Sequence, residues 1–372
     1  MVAGEASGDL LAGLLLRGLR ERWPTLHSAG IGGPRMAEHG FEAWWPHDKL
    51  AVRGYVEVLR HYRELSSIRR RLGDRLLDKR PDAFIGVDAP DFNLGLEARL
   101  KRHGVKTIHF VSPSIWAWRP KRVLQIGRAV DHVLCIFPFE PALYAKHDIA
   151  ASYVGHPLAD AIAMIPPREA SRRALGIGHE EAVVALLPGS RRSEIEQIAP
   201  RLIAAAGLMQ RSRDELRFVL PVVPGLRDMI VAIKARVAPQ LRVDLLDGQS
   251  HQAMAASDVV LVASGTATLE AALFKRPMVI CYAMNGLSWL IMKRLQLQPW
   301  VGLPNIMLED FAVPELLQDA ATPRRIAAAG LAWLDDPIAC QRVAQRFEAL
   351  HLRLRCNMAH EATRVIEHVL AH

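Results

Sequence analysis

The sequence predicts an α/β protein made of two similar nucleotide-fold halves, each a parallel sheet wound with helices on both sides, with a cleft between them. Three observations carry this. Short apolar runs alternate with longer segments of helical period along most of the chain. Two prolines followed by charge, in the stretch AMIPPRE at 163–169, separate two sets of such elements. Each set opens alike, with a short apolar run entering a Gly-containing turn and then a helix. At roughly 100–200 residues per domain, the 372 residues suit two domains.

The elements follow in order. Val2-Ala3 leads into Gly4-Glu5-Ala6-Ser7-Gly8-Asp9. A buried first strand ordinarily has about five residues, so this short lead is read as a chain begun late. Candidate strands fall at 83–87, 107–111, 132–136, 182–187, 217–222, 243–245, 259–262 and 277–281. Helical stretches at 94–102, 194–211 and 266–273 lie between them, and from about Ala320 the pattern is helical to the end. The expected division is 1–165, 166–345 and a C-terminal helix 346–372. No 20–50-residue period repeats.

Composition narrows the class. Half the residues are apolar and 23% are charged, which fits a real core and excludes a largely disordered chain. No apolar run approaches the ~18 residues a membrane span needs, and the opening residues lack a basic-then-apolar leader pattern. Cys135, Cys281, Cys340 and Cys356 are far apart with no C-x-x-C pair, against a structural zinc or a disulfide framework. A cytosolic protein is expected. Lys and Arg number 47 against 39 Asp and Glu, a net charge of +8. Such a surface favours an anionic partner: nucleic acid, an anionic membrane face or phosphorylated substrates. The aromatic 6% does not interleave with basic residues as a single-strand binder requires. Among the 15 histidines no H-x-x-x-H pair shares one helix face with a carboxylate, so no metal is expected. His109 and His156 are read as structural or pocket-lining.

The motifs carry more. In Pro188-Gly189-Ser190-Arg191-Arg192-Ser193-Glu194-Ile195-Glu196, Gly189 permits a tight turn. Ser193 and Glu196 have capping-box spacing. A helix start after a Gly turn offers N–H groups to an anion, and Arg191 adds a forked cation. An ordinary strand–helix turn with solvated arginines is the alternative. Ser264-Gly265-Thr266 follows another strand, where nucleotides approach parallel sheets. Glu270 lies one helical turn beyond Thr266, placed for a ribose diol or simply solvated. Val87-Asp88-Ala89-Pro90-Asp91-Phe92-Asn93 ends a strand. Asp91 is read as the cap of the next helix, which leaves Asp88 as a candidate general base. Trp116 and Trp118 either close the core or line a binding loop. The turns Gly4–Asp9 and 30–35 do not match G-x-G-x-x-G, and no acidic residue ends a strand ~20 residues on, so NAD is disfavoured. Over 53–77, apolar residues recur at helical spacing with arginines between them. That is either a membrane-surface helix or a core-facing helix with a solvated basic face.

These motifs, in this order, resemble the lipid-A-disaccharide synthases, bacterial glycosyltransferases that join two acylated glucosamines. The resemblance runs through 2–9 (VAGEASGD), 33–36 (GPRM), 51–59, 87–93 (VDAPDFN), 107–119 (with VSPSIWAWR), 137–140 (FPFE), 186–191 (LLPGSR), 245–248 (LLDG), 263–270 (ASGTATLE), 303–305 (LPN) and 355–357 (RCN). The short first strand is the one departure. The resemblance implies a GT-B fold whose C-terminal helices cross back to the first domain. It implies UDP-2,3-diacylglucosamine as donor and 2,3-diacylglucosamine 1-phosphate (lipid X) as acceptor, joined by a β-1,6 link with release of UDP. No cofactor or metal is implied, the UDP-sugar being a substrate. In that chemistry Asp88 is the expected base, and Arg191, with Gly189 and Ser190, meets the charge of the leaving diphosphate. Glu270 is expected on the ribose, with Ser264, Gly265, Thr266 and Asn305 also binding UDP, and with Glu5 and Ser7 lining the cleft. Because both substrates carry acyl chains, Val56, Val58, Leu59, Tyr62, Leu65, Arg60 and Arg63 become the expected docking surface on the cytoplasmic face of the inner membrane. A homodimer is compatible, and no nucleic-acid partner is expected. The rival functions are a related transferase acting on a lipid-linked peptidoglycan precursor, a UDP-sugar epimerase, and a basic nucleic-acid binder.

Overall fold

The structure is a computed structural model that describes the chain except residues 51–54, 118–119, 285–288, 290–293 and 295, and except the side chains of 6, 48 and 55–62. It divides into two compact units, Met1–Asp160 with Leu354–His372, and Ala161–Arg353.

The sheet of the first unit contains β1 (Val2–Ala3), β2 (Ala29–Gly32), β3 (Glu42–Pro46), β4 (Ala83–Val87), β5 (Lys106–Phe110), β6 (His132–Cys135) and β7 (Ala151–Tyr153), in the order β3-β2-β1-β4-β5-β6-β7. Every neighbouring pair is parallel. The second sheet contains β8 (Val183–Leu187), β9 (Arg217–Val222), β10 (Asp244–Asp247), β11 (Val259–Ala263), β12 (Met278–Tyr282) and β13 (Glu315–Leu317), in the order β10-β9-β8-β11-β12-β13, again all parallel. Parallel neighbours need a long crossover, here mostly a helix, so the sheet faces become covered and central strands read as unbroken apolar runs. β8 and β11 are buried at every residue.

The helix Tyr55–Lys79 turns Ile68, Leu72 and Leu76 onto the first sheet, against Val2, Phe84 and Leu100. In the second unit the helix Arg192–Ser212 buries Ile195, Ile198, Leu202 and Met209 in a core shared with β8, β9 and β11. The expected strands at 83–87 and 217–222 match, and the other six appear with ends shifted by one or two residues. β2, β3, β7 and β13 went unanticipated.

The division falls before 165 because charge ties the next segment to the second sheet. Arg168 and Arg172 both pair with Asp258, which leads into β11, at 2.5 and 2.9 Å. Arg172 is only 1% exposed, and it also donates to the carbonyls of Gly178, His179, Glu181 and Ala256. A buried guanidinium stands only when its donors are satisfied in this way. At the other end, the helix Pro337–Leu354 stays with the second unit to Arg353, where Arg346 meets Asp310 at 2.9 Å. The chain then rejoins the first unit. Leu354 O accepts from the His156 N–H at 2.9 Å. The Asp160 carboxylate accepts from the N–H groups of Asn357 and Met358, closing the start of the helix Met358–Ala371. That helix packs along Glu5–Arg22, with Arg22 and Glu367 paired at 2.5 Å.

Candidate active site

In the second sheet the chain moves outward from β8 through β9 to β10, then returns to the other flank of β8 with β11. The strand order therefore reverses between β8 and β11, and open parallel sheets leave a crevice beyond the carboxyl ends at that point. A cavity of about 420 Å³ opens there, walled by the turns after β8, β9, β10 and β11.

β8 passes through Pro188-Gly189-Ser190-Arg191 into the helix Arg192–Ser212. Gly189 has φ +110, and a Cβ there would stand 2.7 Å from the Glu194 carboxylate, so only glycine fits. Arg191 is the N-cap, two residues earlier than the Ser193 cap expected from the spacing. The expected pairing of Ser193 with Glu196 is therefore replaced by Glu194 at the third helical position. Its Oε2 accepts from the N–H groups of Ser190 and Arg191 at 3.1 and 3.3 Å, and its Oε1 accepts from Arg191 Nη1 at 2.7 Å. An internal carboxylate thus occupies the cationic and N–H donors that suit a phosphate.

β11 passes through Ser264 and Gly265, φ +147, into the helix Thr266–Leu273, whose N-cap is Gly265, with no side-chain cap among the described residues. Ser264, Gly265 and Thr266 all line the cavity beside Gly189, Ser190, Arg191 and Glu270, so seven of the expected residues come together. Ser264 Oγ donates to Val301 O at 3.3 Å. Glu270 is not simply solvated, because His251 Nε2 stands 3.5 Å from its Oε2. His251 also lies edge-on to Phe274, ring centroids 5.3 Å apart. Its bond to Glu270 holds His251 above its ordinary pKa of 6.5, against the opposing effect of burial. Sequence reasoning passed over His251 and Glu194. The LLDG turn was the available signal for the first, since Gly248 (φ +70) and Gln249 (φ +58) turn the chain into the short helix Ser250–Ala256 at the cavity wall.

Asn305 is not brought to this cavity. It is fully buried, donating to Val313 O and Glu315 Oε1 and accepting from the Val313 N–H. Glu315 in turn accepts from the N–H groups of Val301 and Gly302. The amide is consumed in bracing 301–315, which carries Val301, the acceptor for Ser264.

In the first unit the order reverses between β1 and β4. Glu5 (φ 61) opens the first helix half-buried, and Ser7 is exposed in its first turn. Asp9 is buried, accepting from the N–H groups of Gly33, Arg35 and Met36 at 2.7, 2.9 and 3.2 Å. The glycine-rich turn at 30–35 is thus held by the protein itself. At the end of β4, Asp88 (φ 49) and Ala89 (φ 43) both take left-handed backbone, at about 1–2 kcal/mol each. Asp88 is exposed. Asp91 does not cap the following helix, which begins at Pro90 with Ala89 as N-cap; it lies in the first turn, paired with Arg122.

Trp116 belongs to the core, its Nε1 donating to buried Glu140 at 3.1 Å, whereas Trp118 lies outside the described residues. Burial pushes Glu140 up to about 7 and His156 down to about 4. His109 is buried against Glu97 at 2.7 Å. Of the docking residues, Arg63 is exposed and Leu65 half-buried on the helix Tyr55–Lys79. The side chains of Val56, Val58, Leu59, Arg60 and Tyr62 lie outside the description. Among the described residues no helix is long and apolar enough to cross a membrane, and no three His, Cys, Asp or Glu gather to hold a metal.

Two parallel-sheet nucleotide folds, one with a cavity at its switch point, define a protein of the GT-B class. The MurG protein of Acinetobacter baumannii shares the fold, with TM-score 0.61 at 13% identity over 99% of this chain and 98% of that one. So does the UDP-GlcNAc 2-epimerase of Neisseria meningitidis, solved with UDP-GlcNAc bound, at TM-score 0.67 and 13% identity over 100% of this chain and 99% of that one. A family model described as lipid-A-disaccharide synthetase matches residues 1–366. The lipid-A-disaccharide synthase of Albidiferax ferrireducens is 58% identical over 375 aligned residues, covering 100% of this chain and 96% of that protein. The chain belongs to the lipid-A-disaccharide synthase family, glycosyltransferases of lipid A biosynthesis.

The His251–Glu270 pair makes a pH prediction. A folded pKa raised above the unfolded value gives stabilisation that is full below pH 6.5 and lost as pH rises through the folded value. In an NMR titration, His251 should titrate above 6.5, and Glu270→Gln should bring it back to 6.5 or lower, because only burial then remains. An unchanged midpoint in the variant would break the pairing.

Proposed function

We propose that this chain performs an inverting transfer of 2,3-diacylglucosamine from its UDP donor to the 6-hydroxyl of lipid X. The cavity at the β8–β11 switch point is the observation that carries it, because it combines a forked cation, two helix N-termini and a carboxylate one helical turn in. The acceptor oxygen attacks the anomeric carbon as Asp88 takes its proton. The bond from that carbon to the β-phosphate oxygen breaks, and UDP leaves with the electron pair. One in-line displacement turns the α donor into a β-1,6 product. Arg191 and the N–H groups of Gly189 and Ser190 oppose the charge growing on the leaving diphosphate, where fixed donors are most effective. Glu194 must yield them. Its pair with Arg191 is half-exposed, and such pairs contribute only about 0.2–1 kcal/mol, so a diphosphate of higher charge can take its place. Glu270 receives the ribose hydroxyls and His251 steadies it. Ser264, Gly265 and Thr266 lie against the nucleotide. The reaction needs neither cofactor nor metal in this scheme.

Mass spectrometry of the product from UDP-2,3-diacylglucosamine and lipid X tests the function. The expected result is the acylated disaccharide 1-phosphate with UDP, and a loss of about 10²–10⁴-fold in turnover on Asp88→Asn. Consumption of lipid-free UDP-GlcNAc instead would point to an epimerase.

We further propose that the arginine-rich start of the helix Tyr55–Lys79 docks on the anionic cytoplasmic face of the inner membrane. Its described apolar residues from Ile68 onward serve the core, and the candidate lipid face, Val56–Leu65, precedes them on the same helical period in the sequence. Each basic side chain near such a surface contributes ~1 kcal/mol. Vesicle flotation of Val58→Ser/Leu59→Ser should show weaker binding with an unchanged melting curve. A collapsed melting curve would return those residues to the core.

A further inference from the structure

The turn that carries Asp88 is held in a form its own residues disfavour. Asp88 and Ala89 are successive non-glycine residues at φ 49 and 43, where an L side chain crowds the following carbonyl oxygen. Strain of this kind persists only where the surroundings enforce it, and it gathers at functional sites.

Asn93 does the enforcing. It is fully buried. Its Nδ2 donates to Asp88 O at 2.8 Å and lies 3.5 Å from Val87 O and 3.4 Å from Val2 O, so one amide touches the turn, β4 and β1. Its backbone N–H donates to Ala89 O at 3.0 Å. Both carbonyls of the strained pair are therefore held by the same residue. The Asn93 Oδ1 is buried without a partner among the described residues. A group that leaves half its amide unsatisfied is a poor choice for stability alone.

The helix bearing Asn93 is itself fixed from below. One turn on, Glu97 pairs with His109 of β5 at 2.7 Å, and both side chains are fully buried. The Glu97 carboxylate lies where a Cβ at Gly86 of β4 would be, so that position accepts glycine alone. Asn93 and Glu97, four residues apart on one helix face, thus set the Pro90–Lys101 helix on β4 and β5. Asp88 is left exposed at the carboxyl end of β4, and among the described residues nothing bonds its carboxylate.

We propose that Asn93 is a positioning residue for the transfer reaction, holding the Asp88-Ala89 turn in its left-handed form so that the Asp88 carboxylate is aimed at the acceptor hydroxyl. This rests on the proposed role of Asp88 as the base. Asn93 touches no reacting atom and acts through the geometry of one turn. Ala89 is part of the same device. A glycine there would accept the angles without strain but would also leave them freely.

The experiment compares Asn93→Ala, Ala89→Gly, Asp88→Asn and the Asn93→Ala/Asp88→Asn double variant in the full-length enzyme, reading kcat, UDP affinity and the melting curve. Asn93→Ala should lower kcat by about 10–100-fold, the scale of a small misplacement of a reacting group, with UDP affinity unchanged. Ala89→Gly should lower kcat several-fold while melting no lower than the parent. In the Asp88→Asn background, Asn93→Ala should cost less than about twofold further, because the group it positions has already lost its function. Should Asn93→Ala fail to fold, Ala89→Gly still decides: full kcat in that variant overturns the proposal. An Asn93→Ala loss as large in the Asp88→Asn background as in the parent also overturns it, since the residue then acts on something else. Full activity of Asp88→Asn alone defeats the base assignment, and the positioning role falls with it.

Discussion

Every paired strand runs parallel to its neighbour, so each strand-to-helix turn in a unit emerges at the same edge of its sheet. All else in this protein depends on that constraint. It gathers residues that are remote in sequence, such as Arg191 after β8 and Glu270 beyond β11, around one cavity. It also forces long covered crossovers, and these bury the central strands on both faces. The reversal of strand order, between β1 and β4 and again between β8 and β11, leaves the crevice. Chemistry then needs only a few side chains at the turns.

Those turns share a second feature. Backbone N–H groups that begin helices or tight turns are repeatedly taken by a carboxylate from elsewhere: Asp9 on Gly33, Arg35 and Met36; Glu194 on Ser190 and Arg191; Asp160 on Asn357 and Met358; Glu315 on Val301 and Gly302. Each gives a partner to a donor that the start of a helix or turn leaves without one. Asp9 makes its bonds in buried or partly buried surroundings, Asp160 makes one partly buried and one exposed, and both serve the fold. Glu194 differs because it lines the cavity, so the group that completes the helix start also stands where the proposed scheme places the diphosphate.

Much of this was legible in the sequence, for a physical reason. The central strands are buried on both faces, so 182–187 and 259–262 stand out as unbroken apolar runs. The strands that escaped notice carry no such mark. β3, β7 and β13 are sheet edges with half-exposed residues, and β2 reads Ala-Gly-Ile-Gly, which resembles a turn. The site was legible where residue type and turn coincide, as at Gly189, Arg191 and Gly265. It was not legible where a role depends on a partner distant in sequence. His251 gains its meaning from Glu270, and Glu194 from the point at which its helix begins. Asn305 shows the same limit: its bonds to Val313 and Glu315 cannot be read from its place near a nucleotide motif. Asp91 has the residue type of a cap, but its helix starts two residues too soon.

A transferase that uses no metal in this scheme must meet the charge of a departing diphosphate with fixed donors of its own. In the scheme proposed for this chain those donors are the Arg191 guanidinium and the N–H groups at the β8 turn, so recognition of a diphosphate is the central claim. Calorimetric titration with UDP, UMP and uridine tests it most directly. UDP should bind about 10–100-fold tighter than UMP, the scale of one or two charge-assisted hydrogen bonds, and Arg191→Ala should erase most of that margin. Equal affinity for all three ligands, unaltered in the Arg191→Ala variant, would contradict the account.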